Sequence, residues 1–323
     1  MSVRRFVIIR TDSIGDVVLT LPLAGIIKEN FPGCPVDFIG RNYTKSVVDR
    51  SQNVDQFYSL DEWSRQSEAE VVEWISSSRW DVAIFALPDK NLMRWFALAK
   101  VPLRIATANR FHSWRYANRR VFFSRKKSDL HEAQLNLKLL QPLGIKSEFS
   151  LELLKGKMGY PESSLAPQKR IIFHPFSQGS ALNWSFAEYD ECIGYLPRND
   201  WEIAISGTAK DNENLDLSKW TSGNRVVNYC GKFELMEFID WIADSSVLVS
   251  CSTGPLHLAA ISGIHAVGLY MNRRPIHPGR WSPLGEHVHL FVDEKAQHEK
   301  LEISPKEVAI FLMSIMERPT TKH

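Results

Sequence analysis

The 323-residue chain lacks the markers of several protein classes. Its four cysteines, Cys34, Cys192, Cys230 and Cys251, stand far apart, with no Cys-x-x-Cys pair and no Cys/His cluster at zinc spacing. That excludes a disulfide framework and points to a reducing compartment. There is no Gly-x-Gly-x-x-Gly and no Gly-Lys-Ser/Thr, so dinucleotide and P-loop chemistry have little support. The longest mostly apolar stretch, Leu256 to Met271, contains two His and two Gly, too polar for a bilayer span. Near the N-terminus only four apolar residues, Phe6–Ile9, separate Arg5 from Arg10, too few for a signal-peptide core. A cytoplasmic protein is expected. Nothing repeats at solenoid period, and no segment is of low complexity. The 39 Lys plus Arg nearly cancel 37 Asp plus Glu, leaving +2, which argues against a nucleic-acid coat or a charged disordered tail.

What is present is an ordinary soluble composition, 44% hydrophobic and 24% charged, long enough for two domains. Short runs rich in Val, Ile and Phe alternate with longer amphipathic stretches, the pattern of β-α units feeding a parallel sheet. The first round predicts strands at Phe6–Arg10, Val36–Ile39, Asp81–Ala86 and Arg104–Ala106, with helices over Asp16–Asn30, Glu68–Ser78 and His131–Leu140. Gly156–Pro167, polar and carrying Gly and Pro, reads as a linker. The alternation restarts at Arg170–Phe173, and Ser304-Pro305-Lys306-Glu307 opens a last helix. The expectation is an α/β chain of two Rossmann-like domains, 1–160 and 161–323, facing one another across a cleft. The last helix is expected to pack back toward the first domain. Ligands in open α/β sheets bind beyond the carboxyl ends of the strands, so the loops after strands are the places to look.

Three such loops carry chemistry. Thr11-Asp12-Ser13-Ile14-Gly15-Asp16 sets two carboxylates and two hydroxyls at the rim of the first sheet. Asp16 there could be a general base or merely a helix cap. His174–Trp184 combines hydroxyls, amides and a Gly before a capped helix, which can cradle an anion. Ser250–His257 again runs from strand to helix. Thr253 and Gly254 can offer free N–H groups to a phosphate, with His257 one turn in.

A fourth feature is a charge run. From Lys100 to Lys127 nine residues are Lys or Arg and none is acidic, with Phe111, Trp114, Tyr116, Phe122 and Phe123 interleaved. Such a segment can bind nucleic acid, an anionic membrane surface or a phosphorylated ligand. It also makes the net charge uneven: residues 1–160 hold 24 basic against 17 acidic side chains, and residues 161–323 hold 15 against 20.

Gly15-Asp16-Val17-Val18-Leu19-Thr20-Leu21-Pro22, after an Ile-Ile-Arg strand, resembles the opening motif of glycosyltransferase family 9, the ADP-heptose–lipopolysaccharide heptosyltransferases. Cys230-Gly231-Lys232-Phe233-Glu234-Leu235, Ser252–Ala260, Arg280–Gly285 and the stretch from His131-Glu132 to Ile145 match in order. The resemblance implies a GT-B fold, acceptor on the first domain and nucleotide-sugar on the second, and metal-free inverting transfer with Asp16 as base. It implies a nucleotide-sugar substrate and an anionic glycolipid acceptor, no cofactor, no nucleic acid, and peripheral contact with the inner face of the cytoplasmic membrane. No Asp-x-Asp occurs, in keeping with metal independence. Candidate donor residues are Ser177, Ser180, Asn183, Thr208, Glu213, Ser252, Thr253, Gly254 and His257. Candidate acceptor residues are Ser13, Arg94, Arg110, Arg115, Arg120 and His131. The chain departs from the family pattern at Leu182, where a phosphate-contacting Lys is common, and at Ser252, where Asp is common. Arg273, Arg274, His277 and Arg280 could supply the missing positive charge.

Overall fold

The structure, a computed structural model, describes residues 4–125, 127–146, 148–161, 167–177, 179, 181–295 and 300–317. It divides into two compact units, Met1–Pro161 and Glu162–His323. The first holds β1 (Phe6–Ile9), β2 (Val36–Gly40), β3 (Gln56–Ser59), β4 (Val82–Phe85), β5 (Leu103–Thr107) and β6 (Arg119–Val121). They pair in the order β3-β2-β1-β4-β5-β6, every pair parallel. The second holds β7 (Gln168–His174), β8 (Glu202–Ile205), β9 (Val226–Asn228), β10 (Ser245–Cys251), β11 (His265–Met271) and β12 (Val288–Asp293). Their order is β12-β11-β10-β7-β8-β9, again all parallel. Counted from its own first strand, each sheet runs 3-2-1-4-5-6, the doubly wound Rossmann arrangement.

Helices cover both faces of the central strands: β1 and β4 are wholly apolar and buried at every position, and β10, apolar over Val247–Val249, is buried along its whole length. Of the four edge strands, β3, β6 and β9 are three or four residues long and partly exposed, while β12 has six residues. Short polar edges deter pairing with other chains, and they leave no hydrophobic run to read, so sequence reasoning missed all three.

Other expectations need correcting. Asp16–Asn30 is two helices, Ile14–Val18 and Pro22–Asn30. Pro22 has no N–H to continue the first helix and is well suited to start the second. Helix Glu132–Leu137 gives way to a 3-10 turn over Lys138–Leu143 that contains Pro142 and ends at left-handed Gly144. The first part of the expected linker is laced to its own unit. Ser51 Oγ donates to the Met158 carbonyl at 2.6 Å, Asn53 Nδ2 to that of Lys157 at 3.0 Å, and the Gln52 N–H to that of Gly159 at 2.8 Å. Residues 162–166 lie outside the described residues. The last helix, Pro305–Met316, spends its apolar face in the second unit: Val308, Leu312 and Ile315 join the core around Trp184, Tyr189 and Cys192.

Candidate active site

In the 3-2-1-4-5-6 order the chain leaves β1 and β4 in opposite directions, opening a crevice between their carboxyl ends. The Thr11–Asp16 loop follows β1, so Asp12 and Asp16 stand at this switch point. The charge that organises them is Arg10, the residue just past β1. Its side chain is only 4% exposed, and it reaches Asp12 at 2.6 Å, Asp16, and Glu132 at 3.4 Å. Burial opposes its charge, but Asp16, Asp12 and Glu132 together outweigh burial and hold the guanidinium protonated.

Glu132 is fully buried and is also paired with Arg125. Arg125 donates to the Ala86 carbonyl and to Asn136 Oδ1, each at 3.0 Å. Asn136 Nδ2 in turn donates to the Leu19 carbonyl at 3.0 Å and to Thr20 Oγ1 at 3.1 Å. Thr20 Oγ1 returns a bond to the Asp16 carbonyl at 2.7 Å. The aspartate's helix is thus fixed from strand β1, from the end of β4 and from helix Glu132–Leu137.

At the carboxylate itself, Ser13 Oγ donates to Asp16 Oδ2 at 2.5 Å. The Asp16 side chain keeps 15% exposure, so it can meet a ligand. Tyr43, from the turn after β2, donates its hydroxyl to the Asp12 carbonyl at 2.5 Å. Burial raises the Asp12 pKa; Arg10 pulls it down by more than Asp16 pushes it up, and burial still prevails. Tyr43 is likewise raised, by burial and then by the two aspartates.

Of the acceptor candidates, Ser13 is at this site. His131 is not a surface group: it is buried, and its Nδ1 accepts the Ala133 N–H as the cap of helix Glu132–Leu137. Arg94 forms an ion pair with Glu68 at 2.6 Å. Arg110, Arg115 and Arg120 cluster around helix Phe111–Tyr116, with Arg120 lying over the Trp114 ring at 4.7 Å. Sequence reasoning missed Arg10, Glu132, Asn136, Arg125 and Tyr43. The available signal was an Arg directly continuing a strand whose other residues are all apolar, since a charge there must be paired.

The second unit repeats the geometry. Its switch point lies between β7 and β10, and the loops that follow these strands are His174–Trp184 and Ser250–His257. Ser250 Oγ donates to the His174 carbonyl at 3.1 Å and lies 2.7 Å from Thr253 Oγ1. Thr253 is the N-cap residue of helix Gly254–Ile261 but makes no side-chain cap. Gly254 and Leu256, at the head of that helix, have N–H groups with no intrahelical acceptor, and Pro255 has none to satisfy. His257 is buried one turn in. Ser252 bonds the Tyr270 hydroxyl.

Across the switch point Ser177 Oγ donates to the Ala181 carbonyl at 2.9 Å and accepts from Asn183 Nδ2 at 3.0 Å. Asn183 Oδ1 is buried without a hydrogen-bond partner among the described residues. Ser180 lies outside the described residues. Thr208 spends its hydroxyl on Asp211 at 2.7 Å in a capping box, and Glu213 is exposed. In the loop after β11, Arg280 is buried against Trp281 at 4.7 Å. Burial, then Arg274 and Arg280, lower the pKa of His277, which marks the loop as electropositive.

Two doubly wound sheets of this order, each with polar loops gathered at its switch point, have the architecture of the GT-B fold. Solved structures agree over nearly the whole chain. The E. coli ADP-heptose lipopolysaccharide heptosyltransferase II covers 97% of this chain and 98% of its own, with TM-score 0.75 and 18% identity. The E. coli heptosyltransferase WaaC with ADP covers 96% and 99%, with TM-score 0.75 and 17% identity. In sequence, lipopolysaccharide heptosyltransferase 3 of Escherichia coli is 21% identical over 285 residues, 79% of this chain and 80% of that one. The model of glycosyltransferase family 9 (heptosyltransferase) matches residues 96–308, and the chain belongs to that family. It is a glycosyltransferase.

Proposed function

We propose that the protein moves a heptose, or a related sugar, from ADP-heptose to a lipopolysaccharide-core or other cell-surface glycan, with inversion and without a metal. The observation that carries this reading is Asp16. Its carboxylate is partly open, held by Ser13 and Arg10 at the switch point of the first sheet. In the proposed step Asp16 takes the proton of an acceptor hydroxyl while that oxygen attacks the anomeric carbon. The bond from that carbon to the diphosphate breaks on the opposite face, and its electron pair leaves with the nucleotide. N–H groups at Thr253–Gly254, with Ser177 and His257 nearby, would receive the growing diphosphate charge. The absence of Asp-x-Asp supports metal independence, which activity in the presence of a chelator tests. A glycolipid acceptor would bring the enzyme to the cytoplasmic leaflet. Among the described residues no helix is long and apolar enough to cross a membrane.

The test is Asp16→Asn. Turnover should fall about 10²–10⁴-fold while nucleotide affinity is kept; unchanged turnover would remove Asp16 as base. A second donor is a specific alternative because Leu182 and Ser252 replace residues common in the family. Thermal shifts with ADP-, GDP- and UDP-sugars separate the two. If Arg274→Ala and Arg280→Ala both leave donor affinity unchanged, the loop after β11 does not compensate for Leu182. A silent sugar-nucleotide binder would show the shifts with no transfer.

A further inference from the structure

The first unit carries an exposed aromatic face unrelated to its core. Phe111 is 86% exposed, Phe122 72% and Trp114 53%. Large apolar side chains this open are uncommon, and three on neighbouring elements form a patch. Phe111 and Trp114 are three residues apart on helix Phe111–Tyr116, on one side of it. The Trp114 and Phe122 rings meet edge to face at 5.9 Å. Two internal bonds fix this arrangement. Trp114 Nε1 donates to the Ala108 carbonyl at 2.9 Å, and Asn109 Nδ2 donates to that of Phe123 at 2.5 Å. With its one polar group satisfied inside, the indole presents only its apolar body outward.

The segment that carries the patch bears charge of one sign. Arg110 and Arg115 flank the helix, Arg119 is on edge strand β6, and Arg120 stacks on Trp114 at 4.7 Å. No acid occurs between Lys100 and Lys127. A sugar headgroup alone would use the guanidinium groups and leave the phenyl rings in water. A nucleic acid would use both, but the chain as a whole carries a net charge of only +2. Aromatic rings beside arginine match the headgroup–acyl boundary of an anionic bilayer, where rings sink and guanidinium groups stay at phosphate level.

We propose that Phe111, Trp114 and Phe122 insert into the surface of an anionic lipid bilayer, with Arg110, Arg115 and Arg120 binding lipid phosphates around them. This rests on the reading of a glycolipid acceptor only for its purpose: the face holds the enzyme where such acceptors are. Binding itself needs no acceptor. Each arginine near the surface contributes about fivefold in affinity, weakening with salt.

The experiment uses the full chain and phosphatidylcholine vesicles with or without phosphatidylglycerol, free of any acceptor. Wild type should sediment with the anionic vesicles, lose binding as salt rises, and ignore the neutral ones. Phe111→Ser with Phe122→Ser should bind at least tenfold more weakly, with an unchanged melting temperature since both rings are exposed. Phe111→Trp should retain binding. Turnover of the double variant on an acyl-free soluble acceptor should equal wild type. Three results overturn the proposal: equal binding by the double variant, binding only to vesicles that carry the glycolipid acceptor, or a dimer in solution that the double variant abolishes. Failure of the acceptor reading looks different: no turnover on any soluble acceptor while vesicle binding is intact.

Discussion

Replacing Arg10 with methionine separates the structure of the site from its chemistry. The change keeps a long apolar stem and removes the one charge shared by Asp12, Asp16 and Glu132. Removing one partner of a buried pair costs about 3–5 kcal/mol because the other charge is left unpaired. Here the lower end applies. Glu132 retains Arg125, while Asp12 and Asp16, at 31% and 15% exposure, can draw some water. A loss of about 3 kcal/mol corresponds to roughly 6–12 °C in the melting temperature of a unit this size. Calorimetry and urea unfolding should place it in the first unit's transition. The deficit should shrink in acid. Asp12 is already raised by burial, so without Arg10 protonation relieves the native state, and stability relative to wild type is regained as pH falls. Asp16→Asn is the control, leaving Arg10 with Asp12 and Glu132; it should shift stability by less than about 1 kcal/mol yet lower turnover about 10²–10⁴-fold. An Arg10→Met protein within about 0.5 kcal/mol of wild type would refute the reasoning, since the cluster would then not be holding the loop.

Other outcomes follow from single residues. Burial lowers the His174 pKa to about 4, only partly opposed by Asp211. The unfolded chain therefore takes up the proton first, and stability is lost as pH falls from about 6.5 toward 4, by up to about 3 kcal/mol. His174→Gln should flatten that acid limb in a pH series of urea melts, and an unchanged limb would assign it elsewhere. At Gly25 an added Cβ would stand 2.3 Å from the Lys157 carbonyl oxygen, so Gly25→Ala should cost about 1–3 kcal/mol by forcing the 157–159 segment off its helix. A neutral result in denaturant melts would show the lacing to be loose. Burial pushes the Cys192, Cys230 and Cys251 thiols up to about 12. A thiol reagent should label them only as fast as the protein unfolds, and native-state labelling at the rate of a free thiol would contradict that burial.

The sequence was most informative where burial is two-sided. β1 and β4 are apolar throughout, and β10 carries the apolar run Val247–Val249, because helices cover both faces, so their runs stand out. The loops after β1, β7 and β10 followed from the same alternation. Edge strands β3, β6 and β9 gave no signal because nothing requires them to be apolar. β6 even begins with Arg119 and Arg120 inside the charge run. At the site, Asp16 was legible from its motif, but its partners were not. Glu132 and Asn136 look like ordinary polar helix positions until the fold brings them to Arg10. His131, an acceptor candidate in the sequence, is a buried helix cap. Local pattern tells which residues are polar; only packing tells which polar residues face inward.

The bond from Arg10 to Glu132 spans 122 positions of chain. Contacts so distant in sequence form late, since the intervening loop entropy must be overcome before they give anything back. During synthesis β1 and the Asp16 loop emerge early, with Arg10, Asp12 and Asp16 already adjacent. Glu132, Asn136 and Arg125 arrive only when the first unit is nearly complete. Until then Arg10 has no buried anchor and the loop no fixed course. Competence of this end of the sheet therefore reports that the unit has closed, and a chain stalled before residue 132 would hold the aspartate without the frame that aims it.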